Sequence, residues 1–183
     1  MTEIQGKPAV ILMADDNPDD IVLVKEAFKD CRCEVDFRHV EDGEEAMEYL
    51  MGRGRYRNRE ISPRPDLVLL DLKMPKKDGL ETLRKIRTTR EIHEIPVVVL
   101  TSSREHDLIT CIYGLGGSSF IRKPVVYEDM VRAMDALCRY WFGTVTLPGQ
   151  EAPVEPRPCS GGVELLQAGR NCGVSSGSGA HTS

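Results

Sequence analysis

LVLLDLKMPKKDG, residues 67–79, places four apolar residues directly before an aspartate and then turns through Met-Pro to Asp-Gly. A continuous apolar run of this length is typical of a central strand that is covered on both faces of a parallel sheet. The four apolar residues therefore place Asp71 within the sheet layer rather than in a solvated turn. The function of the chain depends on which other residues accompany Asp71 at the end of this strand.

Four further segments have the character of strands. Ala9–Ala14 and Val97–Leu100 are continuous apolar runs, whereas residues 35–40 alternate as an edge strand does, and Ser118–Ile121 is a short fifth candidate. The predicted strands begin near residues 9, 35, 66, 96 and 118. These intervals are close to the roughly 30 residues of a strand–helix–strand unit.

Helical patterns fill the intervals between the strands. Asn17-Pro18-Asp19-Asp20 combines an N-cap residue, a proline at the first helical position and acidic residues in the first turn. A second helix is predicted from about Gly43, a third after Gly79, and a fourth over about 104–113, before a group of glycines. The fifth predicted helix contains apolar residues at spacings of four and three: Met130, Met134, Leu137 and Trp141.

Five strands and five helices in strict alternation predict a doubly wound α/β fold with a parallel (βα)5 sheet. The flavodoxin-like strand order 2-1-3-4-5 is general for proteins of this kind, and we adopt it as the expected order. The ordered domain is predicted to cover residues 8–148. In residues 149–183, Gly, Ser and Pro make up 15 of 35 residues and aromatic side chains are absent, so we expect a disordered tail.

Composition and charge narrow the classes of function. The chain has 24 basic and 29 acidic residues, for a net charge of −5, which argues against broad binding to nucleic acids or to membrane surfaces. Arg53, Arg55, Arg57 and Arg59 form an arginine-rich loop, but in an acidic protein such a loop is more often a solvated face or a partner contact. The sequence lacks a signal peptide and a spanning apolar run, so we expect a cytoplasmic protein.

Polar residues follow four of the five predicted strands. Asp15 and Asp16 follow the first strand, Asp71 the third, Thr101 the fourth, and Lys123 the fifth. Ligand sites in doubly wound sheets lie outside the carboxyl ends of the strands, so these side chains should converge. Three neighbouring carboxylates repel one another by about 4 kcal/mol per pair at an effective dielectric constant near 20 and require cations. Lys123 and a Mg²⁺ ion would supply that charge and create a site for a phosphoryl group.

The pattern resembles the receiver domain of two-component response regulators over Pro8 to about Pro148. The resemblance rests on Asp15-Asp16, on the DLKMPKKDG segment of residues 71–79, on Thr101 and on Lys123-Pro124. It implies a phosphorylation-dependent signalling switch rather than an enzyme. No segment after residue 148 suggests a DNA-binding or catalytic domain, so the output is expected through protein–protein contacts of the fourth helix, fifth strand and fifth helix.

The resemblance also implies roles for individual residues. Asp71 would accept a phosphoryl group from a histidine of a partner sensor kinase. Asp16, Asp71 and the backbone carbonyl of Lys73 would bind Mg²⁺, and Asp15 would act mostly through water. Lys123 would pair with Asp71 or with its phosphate.

Further roles concern the switch between the two states of the domain. Thr101 would reorient towards the phosphate, and Phe120 would occupy the aromatic switch position. The Lys123-Pro124 peptide bond would be cis. Two positions depart from the usual pattern. Lys73 stands where many relatives have Asn, and Gly117 stands where Ala is commoner, which is expected to loosen the loop before the fifth strand.

Two segments resemble the single-domain regulators that partner bacterial phytochromes. They are the long loop of residues 52–65 and the final RYWFGTVTLP of residues 139–148. The partner kinase would then be a bacterial phytochrome. The last helix also has more apolar side chains than one inward face can bury, which predicts a homodimer surface that includes residues 144–148.

Two other classes of protein fit parts of the pattern. A phosphohydrolase could use Asp71 as its nucleophile, but such enzymes usually place a second aspartate two residues later, where this chain has Lys73. A flavodoxin-type electron carrier needs a hydroxyl-rich loop after the first strand, where this chain has Asp15 and Asp16. Labelling with acetyl phosphate and Mg²⁺ separates these alternatives.

Overall fold

A computed structural model describes residues 3–4, 7–74, 78–103 and 106–148, and these residues form a six-stranded sheet with helices on both faces. The tail of residues 149–183, which we predict to be disordered, lies outside the described residues. The strands are β1 (Glu3–Ile4), β2 (Lys7–Ala14), β3 (Val35–Val40), β4 (Leu67–Leu70), β5 (Val97–Thr101) and β6 (Ser119–Arg122).

Five of these strands form the predicted parallel sheet, in the order β3-β2-β4-β5-β6. This order is the expected 2-1-3-4-5 arrangement, with the switch in direction between β2 and β4. The sequence did not predict β1, which pairs antiparallel with residues 7 and 8 at the start of β2. A strand of two residues is too short to create a periodic pattern.

The apolar strands separate two hydrophobic cores. In β4, Val68 and Leu70 belong to the core beneath one face of the sheet, and Leu67 and Leu69 belong to the core beneath the other face. All four side chains are fully buried. Because successive side chains point to opposite faces, a strand covered on both faces requires a continuous apolar run.

Five α-helices and one short 3-10 helix cover the two faces. They are α1 (Pro18–Asp30), α2 (Gly43–Met51), the 3-10 helix (Gly54–Tyr56), α3 (Gly79–Thr88), α4 (His106–Gly114) and α5 (Tyr127–Gly143). Helices α1 and α5 pack against each other and cover the core that contains Leu67 and Leu69. Side chains of α2, α3 and α4 cover the other core.

Local signals determine where several helices begin. The side chain of Asn17 accepts a hydrogen bond from the Asp19 amide at 3.0 Å, and Pro18 is the first helical residue, as predicted. Asp42 caps α2 by accepting from the amides of Glu44 and Glu45. The fourth helix was predicted from residue 104, but residues 104 and 105 lie outside the described residues.

The arginine-rich loop is attached to the end of α2. Arg59 donates hydrogen bonds to the carbonyl oxygens of Tyr49 and Leu50, at 3.0 and 2.8 Å, in the last turn of α2. Arg55 pairs with Glu45 and stacks over the ring of Tyr56. The side chains of Arg55 and Arg59 therefore have partners within the chain.

The segment after α5 packs onto the domain through Leu147. Met130, Met134 and Leu137 are buried in the core beneath α1 and α5, and Leu147 in the extension is also buried. Tyr140, in contrast, is 53% exposed. The apolar surplus of α5 is therefore confined to its last turns.

Across the described parts of the chain, each helix is too short or too polar to span a bilayer.

Candidate functional site

The site lies at the carboxyl edge of the sheet, where β2 and β4 end. Asp15 and Asp16 directly follow β2, and Asp71 directly follows β4. One carboxylate oxygen of each of these residues lies within 4.8 Å of the others. The structure thus brings together the three acidic residues that the sequence predicted to converge.

Backbone hydrogen bonds beyond the strand ends hold the carboxylates in place. The amide of Asp15 donates to the carbonyl of Val40 at 3.0 Å, and the amide of Asp71 donates to that of Ala14 at 2.9 Å. Both bonds continue the sheet ladder by one residue. Asp15 and Asp71 are consequently buried, whereas Asp16 is exposed although one of its carboxylate oxygens belongs to the cluster.

Lys123 reaches the cluster from the end of β6. Its backbone amide donates to the carbonyl of Thr101 at 2.9 Å. This hydrogen bond fixes the backbone position from which the Lys123 side chain extends. Its Nζ lies 2.6 Å from Asp15 Oδ2 and 2.8 Å from Asp20 Oδ2. The distance to Asp71 Oδ2 is 3.7 Å, so the predicted partner is an ionic neighbour and not the nearest one.

Sequence reasoning missed Asp20 as a member of this site. In the sequence, Asp20 is one of the acidic residues in the first turn of α1, and stabilisation of the helix start is sufficient to explain it. Asp19 and Asp20 are equivalent in that pattern. Only the rotation of α1 against the sheet shows that Asp20 faces Lys123.

Burial and pairing shift the pKa values of the two innermost groups. Burial disfavours the ammonium of Lys123, but hydrogen bonds to Asp15 and Asp20 outweigh this effect and raise the pKa of Lys123. Burial raises the pKa of Asp15 despite its hydrogen bonds with Lys123 and Asn17. The raised pKa of Lys123 favours its charged form, whereas the raised pKa of Asp15 favours its neutral form. The contact of 2.6 Å favours the charged form of both groups, because each then has a partner of opposite sign.

Asp71 has an unsatisfied oxygen inside the cluster. Its Oδ1 is buried and meets no hydrogen-bond donor among the described residues. A buried carboxylate oxygen without a partner is costly, and the carboxyl group of Asp71 lies beside two further carboxylates. An oxygen-only donor set with an excess of negative charge fits a hard divalent cation.

Thr101 and Phe120 lie on neighbouring strands and face the same core. Thr101 is the last residue of β5 and is fully buried, and its Oγ1 accepts a long hydrogen bond from the Ser103 amide, at 3.4 Å. Phe120 pairs with Val99 in the ladder between β5 and β6, and its half-buried side chain packs against the core beneath α2, α3 and α4. Because side chains alternate along a strand, Val99 and Thr101 share that face.

The loop after Asp71 closes through a glycine. The amide of Gly79 donates to the carbonyl of Leu72 at 3.1 Å. A Cβ at position 79 would lie 2.2 Å from the carbonyl oxygen of Asp71 and 2.6 Å from Leu72 Cα. Lys73 is exposed within this loop, and residues 75–77 lie outside the described residues.

Two expectations about the segment around Lys123 change. The peptide bond between Lys123 and Pro124 is trans, not cis as predicted, and trans is the lower-energy form of a bond before proline. Gly117, which was expected to loosen the loop before β6, has a packing role. A Cβ there would lie 2.5 Å from Ile112 Cγ2 and 2.9 Å from the Ile112 carbonyl oxygen.

The fold and the acidic site together define a receiver domain. The family model of the response regulator receiver domain matches residues 11–135, and the chain belongs to that family. Its function is phosphorylation-dependent signalling of the response-regulator type. The phosphohydrolase alternative is not favoured.

The chain is similar to response regulators of the Rcp1 and RcpA kind. The response regulator Rcp1 of Synechocystis sp. is 37% identical over 148 residues, which cover 81% of this chain and 99% of Rcp1. The crystal structure of the phosphorylated cyanobacterial phytochrome response regulator RcpA has a TM-score of 0.71 at 38% identity and covers 77% of this chain and 99% of RcpA. The Mn²⁺-bound form of Rcp1 has a TM-score of 0.69 at 38% identity, with the same coverage.

Replacement of Gly79 with alanine should destabilise the domain. The new methyl group would displace the backbone of Asp71 and Leu72, at a cost of about 1–3 kcal/mol. Urea denaturation measures this change. Gly114→Ala is the matched control, since a Cβ there meets no atom within 4 Å and alanine favours a helix. Equal stabilities of the two variants would show that the nearby backbone of Asp71 and Leu72 does not require glycine at position 79.

Proposed function

We propose that Asp71 accepts a phosphoryl group from a histidine of a sensor kinase and that the phosphorylated chain signals by binding another protein. The observation that carries this proposal is the environment of Asp71. Its carboxylate lies at the tip of the central strand β4, has an unsatisfied Oδ1, and lies 3.7 Å from the ammonium of Lys123. An activated carboxylate beside a cation is suited to nucleophilic attack on phosphorus.

The proposed transfer balances without a further reactant. An oxygen of Asp71 attacks the phosphorus of phosphohistidine, the new O–P bond forms, and the P–N bond breaks. The electron pair of the P–N bond stays on the ring nitrogen. When the other ring nitrogen carries a proton, neutral imidazole departs. Lys123 is placed to stabilise the negative charge of the transferred oxygens.

The acidic residues fit a Mg²⁺ ion. Asp16, Asp71 and the backbone carbonyl of Lys73 would hold the ion, and Asp15 would act mostly through water. The support is the cluster of three carboxylates and the unsatisfied oxygen of Asp71. When bound, Mg²⁺ neutralises charge on phosphoryl oxygens. A relative, Rcp1, has been solved in a Mn²⁺-bound form.

The proposed upstream partner is a histidine kinase of the bacterial phytochrome type. Similarity to RcpA, a cyanobacterial phytochrome response regulator, supports this proposal. We further propose that residues 8–148 form the receiver domain and that the protein is cytoplasmic. It would serve as a phosphoacceptor and not as an enzyme, apart from slow hydrolysis of its own phosphate.

Thr101 and Phe120 would transmit the phosphorylation state. Thr101 lies at the end of β5, close to the strand end that carries Asp71, and Phe120 packs on the same side of the sheet. Movement of the Thr101 hydroxyl towards a phosphate would change the space available to Phe120. A phosphoryl group can shift the balance of two states in this way only if it binds one of them better.

We also propose a homodimer through the end of α5. Tyr140 is 53% exposed, its ring packs edge-on against Trp141 at 5.1 Å, and Trp141 and Phe142 are half-buried. Large aromatic side chains at a surface are characteristic of interfaces. Coupling to the switch would follow if the dimer also buried the face formed by α4, β6 and α5.

Replacement of Asp71 with asparagine should abolish labelling by acetyl phosphate and Mg²⁺, because an amide is a poor nucleophile. Intact-mass measurement detects the phosphorylated form. Asp66→Asn is the matched control, since Asp66 lies at the opposite end of β4 and asparagine can still accept from the Val10 amide. Full labelling of the Asp71 variant would refute the assignment.

Removal of the divalent ion with EDTA should stop labelling, and excess Mg²⁺ or Mn²⁺ should restore it. Asp16→Ala should slow labelling at least about tenfold at limiting Mg²⁺, since a direct ligand is lost. The comparison is Glu41→Ala, an exposed acid that follows the neighbouring strand β3. A labelling rate that does not change in EDTA would exclude the role of the metal.

Replacement of Tyr140 with lysine should weaken the proposed homodimer. A charged side chain at the centre of an aromatic contact raises the dissociation constant, by about tenfold or more for an interface aromatic. Sedimentation of the full chain, with and without phosphorylation, measures this constant. Ile61→Lys, at a side chain that is 66% exposed in a loop, is the control. A wild-type chain that stays monomeric at high concentration in both states would disprove the dimer.

A further inference from the structure

Asp20 shares the ammonium of Lys123 with Asp15. The Nζ of Lys123 lies 2.8 Å from Asp20 Oδ2 and 2.6 Å from Asp15 Oδ2, but 3.7 Å from Asp71 Oδ2. An ammonium has three donor hydrogens. Two of them are therefore directed at carboxylates other than the one that we propose to be phosphorylated.

The position of Asp20 is set by the start of α1. The side-chain amide of Asn17 donates to Asp20 Oδ2 at 3.1 Å, which is the same oxygen that accepts from Lys123. Asp20 also lies in the first turn of α1, where the helix dipole stabilises a negative charge. Asn17 thus caps the helix through its oxygen and orients Asp20 through its nitrogen.

We propose that Asp20 is a positioning residue that holds Lys123 away from Asp71 until a phosphoryl group arrives. The inference rests on the proposed function of Asp71 and adds a control over the rate of that reaction. Asp20 does not contact the reacting atoms. It acts through the lysine alone, by competing with Asp71 for the ammonium.

Exposure decides which of the two contacts of Lys123 is released. The side chain of Asp20 is 24% exposed, whereas that of Asp15 is 1% exposed. When Lys123 leaves, water can solvate Asp20 more readily than Asp15. The contact with Asp20 is therefore the cheaper one to break, because an unpaired buried charge is far more costly than a solvated one.

The arriving group provides the force for the movement. A phosphoryl group on a side chain has a charge of about −1.5 to −2. A normal contact between an ammonium and an oxygen is about 2.8 Å, so Lys123 needs to move by only about 1 Å to reach an oxygen at the position of Asp71 Oδ2. In the unphosphorylated chain, Asp20 opposes this movement.

Loss of the Asp20 charge should therefore speed phosphorylation. In Asp20→Asn, the weaker amide contact would leave Lys123 free to turn towards Asp71. The experiment follows phosphorylation of the full chain by acetyl phosphate at saturating Mg²⁺, over a range of donor concentrations. The first-order rate constant at saturating donor should rise about three- to tenfold, the scale of the net contribution of one hydrogen bond.

Asp19→Asn is the matched control. It removes the same charge from the adjacent position of the same helical turn, and Asp19 is exposed. If the loss of one negative charge only strengthened the attraction of the anionic acetyl phosphate, the half-saturating concentration of acetyl phosphate would change equally in both variants. The inference requires a change in the first-order constant that occurs in the Asp20 variant and is absent from the Asp19 variant.

Asn17→Ser is a second variant that tests the same arrangement. Serine keeps a cap acceptor for α1 but removes the side-chain amide nitrogen that donates to Asp20, so a smaller rise in the rate constant is expected. Rate constants of the Asp20 variant that equal or fall below those of the Asp19 variant would overturn the inference and leave the proposed function intact. A wild-type chain that is not labelled would overturn the proposed function and the inference with it.

Discussion

The ammonium of Lys123 lies among carboxylates that could not otherwise share one edge of the sheet. Asp15 and Asp71 are buried because sheet hydrogen bonds continue through their backbone amides. Their burial follows from the fold, and the cation makes it tolerable. The charge remains unbalanced, since three carboxylates lie within 4.8 Å of one another, and the remaining excess makes the site suitable for a metal ion and for chemistry at phosphorus.

The two cores of the sheet connect this site to the surface. Leu67 and Leu69 of β4 pack beneath α1 and α5, whereas Val68 and Leu70 pack beneath the helices of the opposite face. The strand that carries Asp71 therefore contacts both layers. A change at its tip can reach α5 through one core and the neighbourhood of Phe120 through the other. Such coupling requires two packed arrangements of similar free energy, since packed cores do not deform continuously.

Predictions based on short-range patterns agree well with the structure, and those that depend on contacts between distant segments agree less well. The cap at Asn17, the start of α2 at Gly43 and the buried strand Leu67–Leu70 follow from local chemistry and periodicity. The predicted cis bond before Pro124 is wrong, because it rested on resemblance and not on any local constraint. The packing role of Gly117 depends on Ile112 and could not be read from its own neighbours.

The sequence by itself determined the doubly wound architecture and predicted that Asp15, Asp16, Asp71 and Lys123 meet at one site. Apolar runs identify the strands, and in a parallel sheet the residues that follow them must meet at one edge. The tertiary structure alone decided how those residues pair. Asp20 and Lys123 are 103 positions apart, and only the rotation of α1 against β6 distinguishes Asp20 from Asp19. A periodic pattern places a residue on a face of its own element, whereas a distance of 2.8 Å depends on how two elements pack.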